Sequence, residues 1–300
     1  MKRQSTLFFS FFLSAILHLS AQNKTIVFQS DFGLKDGAVS AMKGVAIGVS
    51  PDLKLFDLTH EIPAYNIWEA AYRLEQTVPY WPAGTVFVSV VDPGVGTNRK
   101  SVVMKTNSGH FIVTPDNGTL TLIAGSEGIA EIREIDEAVN RRKNSEKSYT
   151  FHGRDVYAYT AARLAAGVIS FEQVGPALPS QVVRIPFQEA SLEGNKIKGT
   201  IAILDIQYGN IWTNIPAALF NKLNAKPGDK FQVQIWQNKT KRYEGAMPYS
   251  ETFGAVAKGQ PLLYLNSLLQ VSFALNMGSF SAVHKVYSGS EWKVEISKVN

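Results

Sequence analysis

From residue 24 to residue 167 the chain alternates between short β-branched runs and stretches with helical spacing, and this alternation narrows the fold more than any other feature. "KTIVFQSDFG" (24–33) reads as a buried strand that ends in an acid and a glycine. "DGAVSAMKGVAIGVS" (36–50) then places small and apolar residues at helical intervals. "LKLFDLTHEIP" predicts a second strand, and "NIWEAAYRLEQTVPYW" a second helix that stops near Pro79. "GTVFVSVVDPG" (84–94) is a third strand, followed by "SVVMKT" and "HFIVTPDNG", and a helix over 155–167 closes the region. Strands alternating with helices at this spacing indicate an α/β layer structure.

The period changes beyond about residue 185. "KIKGTIAILDIQYGNIWTNI", "KFQVQIWQ", "LLYLNSLLQVSFALN" and "KVEISKV" carry the alternation of half-buried strands with turn residues between them. The expected organisation is an N-terminal α/β layered domain over 24–185 and a smaller, mainly β domain over 190–300. They join through "PALPSQVVRIPFQEA" (176–190).

The first residues have a different character. "MKRQSTLFFSFFLSAILHLSAQ" has a basic tip at Lys2–Arg3, an apolar run from Leu7 to Leu19 and a small-residue exit at Ser20–Ala21. This is the three-part layout of a secretory signal peptide over 1–21, cleaved after Ala21. The alternative is a short membrane anchor, but a spanning helix needs about 20 apolar residues, and this run is shorter and broken by Ser10, Ser14 and His18. The expectation is an exported chain, periplasmic or secreted, with no membrane association once the signal is gone. The absence of cysteine removes disulfides, thiolate metal sites and a thiol nucleophile together. Loss of Lys2 and Arg3 reduces the formal charge from +5 to +3. The densest basic run, "NRRKNSEK" (140–147), reads as a solvated loop, and nothing resembles a nucleic-acid platform. No metal-ligating cluster is evident.

In open α/β sheets, ligands bind where strands end. Asp31 and Asp36 in "SDFGLKD" and Asp92 in "VVDPGVGTNRK" stand at such ends. A carboxylate accepts bonds from sugar hydroxyls while glycine lets backbone approach; Asp31 or Asp36 can equally cap the helix that follows. The glycine-rich turn places Asp92 seven residues before Arg99, so the guanidinium can fold back onto the carboxylate. Near His152 such a pair would fix the imidazole and polarise a water. Spacing alone favours the plainer reading: a turn acid, a surface arginine and a capping histidine.

Six stretches then occur in order: "SDFGLKDGAVSAMKG", "VVDPGVGTNRKSV", "TPDNGTL", "TFHGRDVYAYTAARLAAG", "DIQYGNIWTNI" and "YLNSLLQVSFALNMGS". Together they closely resemble the S-adenosyl-L-methionine hydroxide adenosyltransferases, or SAM hydrolases, relatives of the halogenating enzymes that use the same substrate. The resemblance implies an α/β first domain, a β-barrel-like second domain and a homotrimer with sites between subunits. It implies a water-activating trio at Asp92, Arg99 and His152, and attack of water on ribose C5′ to give adenosine and L-methionine without cofactor or metal. It places the ribose acid at Asp31, with Asp36 in the same loop, and an acid for the methionine amino group at Asp205. Tyr208, Asn210 and Trp212 match adenine contacts, Tyr65 and Phe253 aromatic walls, Ser267 a contact to the amino-acid part, and Met277 the closing segment near adenine. Leu268 stands where relatives often carry a polar or charged residue, which puts grip on the methionine carboxylate in question. A halogenase of the same fold and a non-catalytic nucleoside-binding module are the competing readings. Retention of the trio argues against both.

Overall fold

The computed structural model describes residues 23–299, so the expected signal peptide lies outside the described residues. Two sheets organise the chain. The first contains β1 (Thr25–Ser30), β2 (Lys54–Thr59), β3 (Val86–Val90), β4 (Ser101–Lys105), β5 (Phe111–Pro115), β6 (Glu131–Glu134) and β7 (Ala177–Leu178), in the order β2–β1–β3–β5–β4–β6–β7. Strands β2, β1, β3 and β5 run parallel, and β4, β6 and β7 extend the sheet in antiparallel fashion.

The central strands are apolar at successive positions because both faces of this sheet are covered. Ile26 and Phe28 of β1 and Val86, Val88 and Val90 of β3 pack with Met42 and Ala46 of α1 (Ala38–Val49) and with the helix Tyr159–Ala165. Val27 and Phe87, one residue out of phase, pack with Leu74 of α2 (Ile67–Thr77) on the other face. Asn66 caps α2 by accepting the Glu69 N–H at 3.0 Å.

The chain leaves β1 for β2 on one side and reaches β3 on the other. The carboxyl ends of β1 and β3 therefore flank the point where strand order reverses, the place in an open sheet where loops diverge and leave a crevice. Asp31 and Asp92 follow those two ends.

The second sheet contains β8 (Ser191–Glu193), β9 (Lys196–Asp205), β10 (Asn210–Pro216), β11 (Lys230–Gln237), β12 (Thr240–Pro248), β13 (Pro261–Leu265), β14 (Gln270–Leu275) and β15 (Trp292–Lys298). Its antiparallel order is β12–β11–β15–β9–β10–β14–β13, with β8 on β9. A bridge between Tyr249 and Leu263 brings the two edges together, so the sheet nearly closes into a barrel around Ile197, Phe231, Phe273 and Trp292. The two sheets meet where α2 lies on β9. Trp68 and Tyr72 pack against Ala202 and Ile203, and the Trp68 indole N–H donates to the Ala202 carbonyl at 2.7 Å.

Two local expectations change. The helix expected from residue 155 begins at Gly153, with wide π-type turns to Ala158 before α geometry over Tyr159–Ala165. A Cβ on Gly153 would lie 3.2 Å from both Met42 Sδ and Val90 Cγ1, so glycine lets the chain enter the helix directly against β3. The basic run 140–147 is not a solvated loop throughout. Asn140 and Arg141 are buried, because this segment is tied to the following helix through Thr160, Arg163 and Asp155.

Candidate active site

The glycine-rich turn after β3 folds Arg99 back onto Asp92. Arg99 Nε lies 3.0 Å from both Asp92 oxygens, and Nη2 lies 2.7 Å from Oδ2, a forked pair that is almost wholly buried. Arg99 Nη1 donates to Ser101 Oγ at 3.0 Å, and the Tyr157 hydroxyl donates to Asp92 Oδ2 at 3.3 Å. Burial opposes the charge on Arg99, but the bonds to Asp92 outweigh it and raise its pKa. Burial raises that of Tyr157 further, so its hydroxyl remains a donor.

His152 completes the array. Its Nδ1 is 2.5 Å from Arg99 Nη2, and its Nε2 is 2.8 Å from Nη2 of Arg141. Both ring nitrogens therefore face guanidinium donors. Burial lowers the imidazole pKa, Arg99 and Arg141 lower it further, and Glu137 and Asp92 act in the opposite sense. A neutral ring is the form this setting accommodates.

Asp92 and His152 line a cavity of about 250 Å³ with Asp31, Phe32, Tyr65, Val90, Val95 and Phe151. Asp31 does not cap α1. Its Oδ2 accepts the backbone N–H of Tyr65 at 2.9 Å and leaves the other oxygen unengaged by protein donors. Asp36, by contrast, accepts the Ala38 N–H at 2.8 Å at the start of α1 and does not line this cavity. Tyr65 has φ of 69° and is 72% exposed, an unusual backbone state for a bulky residue and one that settles at functional positions.

The remaining expected contacts gather elsewhere. Asp205, Tyr208, Asn210, Trp212, Phe253, Ser267 and Met277 all line a second cavity of about 700 Å³ on the barrel domain. Gly209 makes the turn between β9 and β10 with φ of 68°, and its missing side chain leaves room for Ser279. That turn carries Tyr208 on one side and buried Asn210 on the other, where Asn210 Nδ2 donates to Asp205 Oδ2 at 3.2 Å. Trp212 donates to the Tyr264 hydroxyl at 3.3 Å, and the Phe253 ring packs on Tyr264 at 5.0 Å. Met277 has φ of 53° and is 80% exposed. Ser267 also borders a third, more polar cleft with Leu268, Glu69 and Arg73.

The structure thus brings the trio together with Asp31 and Tyr65, and brings the barrel residues together, in two cavities that share no lining residue. Sequence reasoning missed Tyr157, Ser101, Tyr264, Glu137 and Arg141. Tyr157 lies in the same short stretch as His152. Arg141 was hidden in a basic run whose polarity read as solvent exposure. Among the described residues no group of three or more His, Asp or Glu is placed to hold a metal ion.

Residues 26–175 match the N-terminal domain, and residues 199–293 the C-terminal domain, of the SAM hydroxide adenosyltransferases. The (R)-S-adenosyl-L-methionine hydrolase of Salinispora tropica is 34% identical over 271 residues, spanning 90% of this chain and 97% of the relative. The fluorinase of Nocardia brasiliensis is 26% identical over 300 residues, spanning 90% and 96%. The crystal structure of an uncharacterized conserved protein from Thermotoga maritima superposes with a TM-score of 0.82 at 37% identity, covering 91% of this chain and 99% of that one.

Proposed function

The chain belongs to the SAM hydroxide adenosyltransferase family, and on that premise we propose that it hydrolyses S-adenosyl-L-methionine to adenosine and L-methionine. The observation that carries this reading is the bonded Asp92–Arg99–His152 array at the wall of a cavity that also presents Asp31.

A water oxygen forms the new bond to ribose C5′ as the C5′–S bond breaks, and that electron pair stays on sulfur, which leaves as the neutral thioether of methionine. The leaving group needs no proton. The protein supplies alignment, which is worth on the order of 7–11 kcal/mol at best, and an acceptor for the water's hydrogen. Asp92 is that acceptor. Its Oδ1 takes one bond from Arg99 and keeps lone-pair capacity towards the cavity. Arg99 fixes the carboxylate, and neutral His152 takes a second bond from Arg99 and fixes the guanidinium. Asp31 holds ribose hydroxyls with its unengaged oxygen.

The same carboxylate disfavours the halogenase reading. Water donates to Asp92, whereas a halide in its place meets a buried negative charge at contact distance. A nucleoside-binding module without turnover has no use for a buried acid–guanidinium–imidazole array.

The assembly we propose is a homotrimer in which the trio's cavity on one subunit meets the barrel cavity of the next. The separate cavities support it, as do the bare side chains at their rims: Tyr65 on one, Tyr208, Phe253 and Met277 on the other. Export through residues 1–21 is part of the same proposal. Incubating the chain with S-adenosyl-L-methionine, with and without chloride, and separating the products tests the reaction. Adenosine and methionine in equal amounts support it. A 5′-chloro nucleoside, or unchanged substrate, overturns it.

A further inference from the structure

We infer that Arg141, held by Glu137, is a positioning residue that keeps His152 uncharged and so keeps the imidazole bound to Arg99. The inference rests on the hydrolytic reading for its consequence in the reaction, but its first link is purely structural.

A neutral imidazole has one N–H and one lone pair, and an imidazolium has no lone pair at all. His152 nevertheless meets a guanidinium at each nitrogen, Arg99 at Nδ1 and Arg141 at Nε2. Protonation would set two N–H groups against two cations. The ring therefore remains neutral, with its proton on one side and a guanidinium donating on the other. Were the ring to charge, Arg99 Nη2 would lose this acceptor and meet a cation instead, and that repulsion would strain the guanidinium against the bonds to Asp92 and Ser101 that hold it.

Arg141 is built into this place. It follows the short helix Glu137–Asn140, whose first turn is capped by Asp136. Asn140 bonds the carbonyls of Gln173 and Val174, and Arg142 pairs with Asp155, so the backbone on either side of Arg141 is anchored. Its side chain is 5% exposed, stacks 4.7 Å from the Tyr149 ring centroid and shares Glu137 Oε2 through Nε and Nη2. Its Nη1 is buried with no partner.

The charged and titratable groups facing His152 are Asp92 and Arg99 from the turn after β3, Glu137 from the short helix and Arg141 just after it, Tyr149 from the preceding loop and Tyr157 from the helix that follows His152. Glu137 and Arg141 pull the ring in opposite directions, and this provides a test that disrupted folding cannot imitate. Arg141→Gln removes a positive charge, Glu137→Gln a negative one.

The experiment measures the His152 ring titration by nitrogen NMR in the whole protein, with the signal assigned by its loss in His152→Asn. It also measures the pH dependence of kcat with S-adenosyl-L-methionine. Arg141→Gln is expected to move the ring midpoint up by on the order of 1 pH unit, and the acid limb of kcat with it. Glu137→Gln moves both down, and Arg141→Lys restores the wild-type positions. If Arg141→Gln fails to fold, Glu137→Gln decides alone, and an unmoved midpoint there overturns the proposal. Shifts in the same direction from both variants also overturn it, as does a ring shift with an unmoved kcat limb. Should the chain not hydrolyse the substrate at all, the hydrolytic reading fails while the ring titration still decides whether Arg141 sets the charge of His152.

Discussion

Asp92 and Arg99 are joined by three contacts of 3.0, 3.0 and 2.7 Å, although six residues of glycine-rich turn separate them. A forked guanidinium is the only side chain that makes these bonds and still reaches His152 with the same nitrogen. Arg99→Lys keeps the charge and loses the fork. It is expected to lower kcat by about 10²–10⁴-fold, the range for loss of a positioned acid–base group, with little change in KM. Asp92→Asn, which is isosteric but a weaker acceptor, should fall in the same range. Steady-state kinetics at pH 7.5 checks both, and near wild-type kcat in either variant removes that residue from the array.

Asp31 and Asp36 lie in one loop, and the structure gives them different tasks. Asp31 faces the cavity, and Asp36 bonds the first turn of α1. Asp31→Ala is expected to weaken adenosine binding by roughly 1–3 kcal/mol, the worth of ordinary hydrogen bonds to ribose, and to release Tyr65 from its left-handed backbone state. Asp36→Ala should leave affinity unchanged and lower stability by about 1 kcal/mol. Calorimetry with adenosine and urea melts separate the two. Equal losses of affinity would return Asp36 to the site.

The α/β alternation, the change to barrel strands after residue 185 and the acids at the ends of β1 and β3 were all readable, because each is a matter of period or of strand ends. The trio was readable only through resemblance. Nothing in the spacing of Asp92, Arg99 and His152 says that β3 and the helix from Gly153 meet; that contact is a property of packing around Gly153. Arg141 was unreadable for a related reason. A charged residue in a polar run looks solvated, and only the tertiary anchoring of Asn140 and Arg142 turns it inward. Asp155, adjacent to Arg154 in the sequence, is turned inward in the same way.

Asp155 is in fact fully buried and bonded by both Arg154 and Arg142. Burial alone pushes its carboxyl up, but the two arginines outweigh that and hold it below the usual range. A depressed folded-state pKa means that the unfolded chain binds the proton first. The contribution is therefore present above about pH 4, the ordinary aspartate value, and is lost as pH falls through the folded value. Asp155→Asn should cost roughly 1.5–3 kcal/mol at pH 7, the worth of a hydrogen bond to a charged group, because the two arginines left behind are partly exposed, and much less at pH 2.5. Urea denaturation at the two pH values is the measurement. A penalty independent of pH would show that shape, not charge, makes Asp155 matter.

The division of contacts between two cavities leads to a test of assembly. Asp31, Asp92 and His152 line one cavity and Asn210 and Trp212 the other, with no residue in common. If one substrate uses both, and they come from neighbouring subunits, each site draws its chemistry from one chain and its adenine contacts from the next. Subunits with His152→Ala then have a ruined chemical half and a sound adenine half, and subunits with Asn210→Ala the reverse. Neither homotrimer has a sound site. A mixed trimer has one wherever the intact halves face each other, and with random mixing at equal proportions a quarter of the sites are expected to be sound. Activity should therefore recover to roughly a quarter of wild type on co-refolding, and should fall with dilution as the trimer dissociates by mass action. Mass spectrometry of intact assemblies verifies the mixing. Verified mixed trimers without recovery, or full activity at the mass of a single chain, would mean that both cavities serve the substrate from within one subunit or that only one of them serves it.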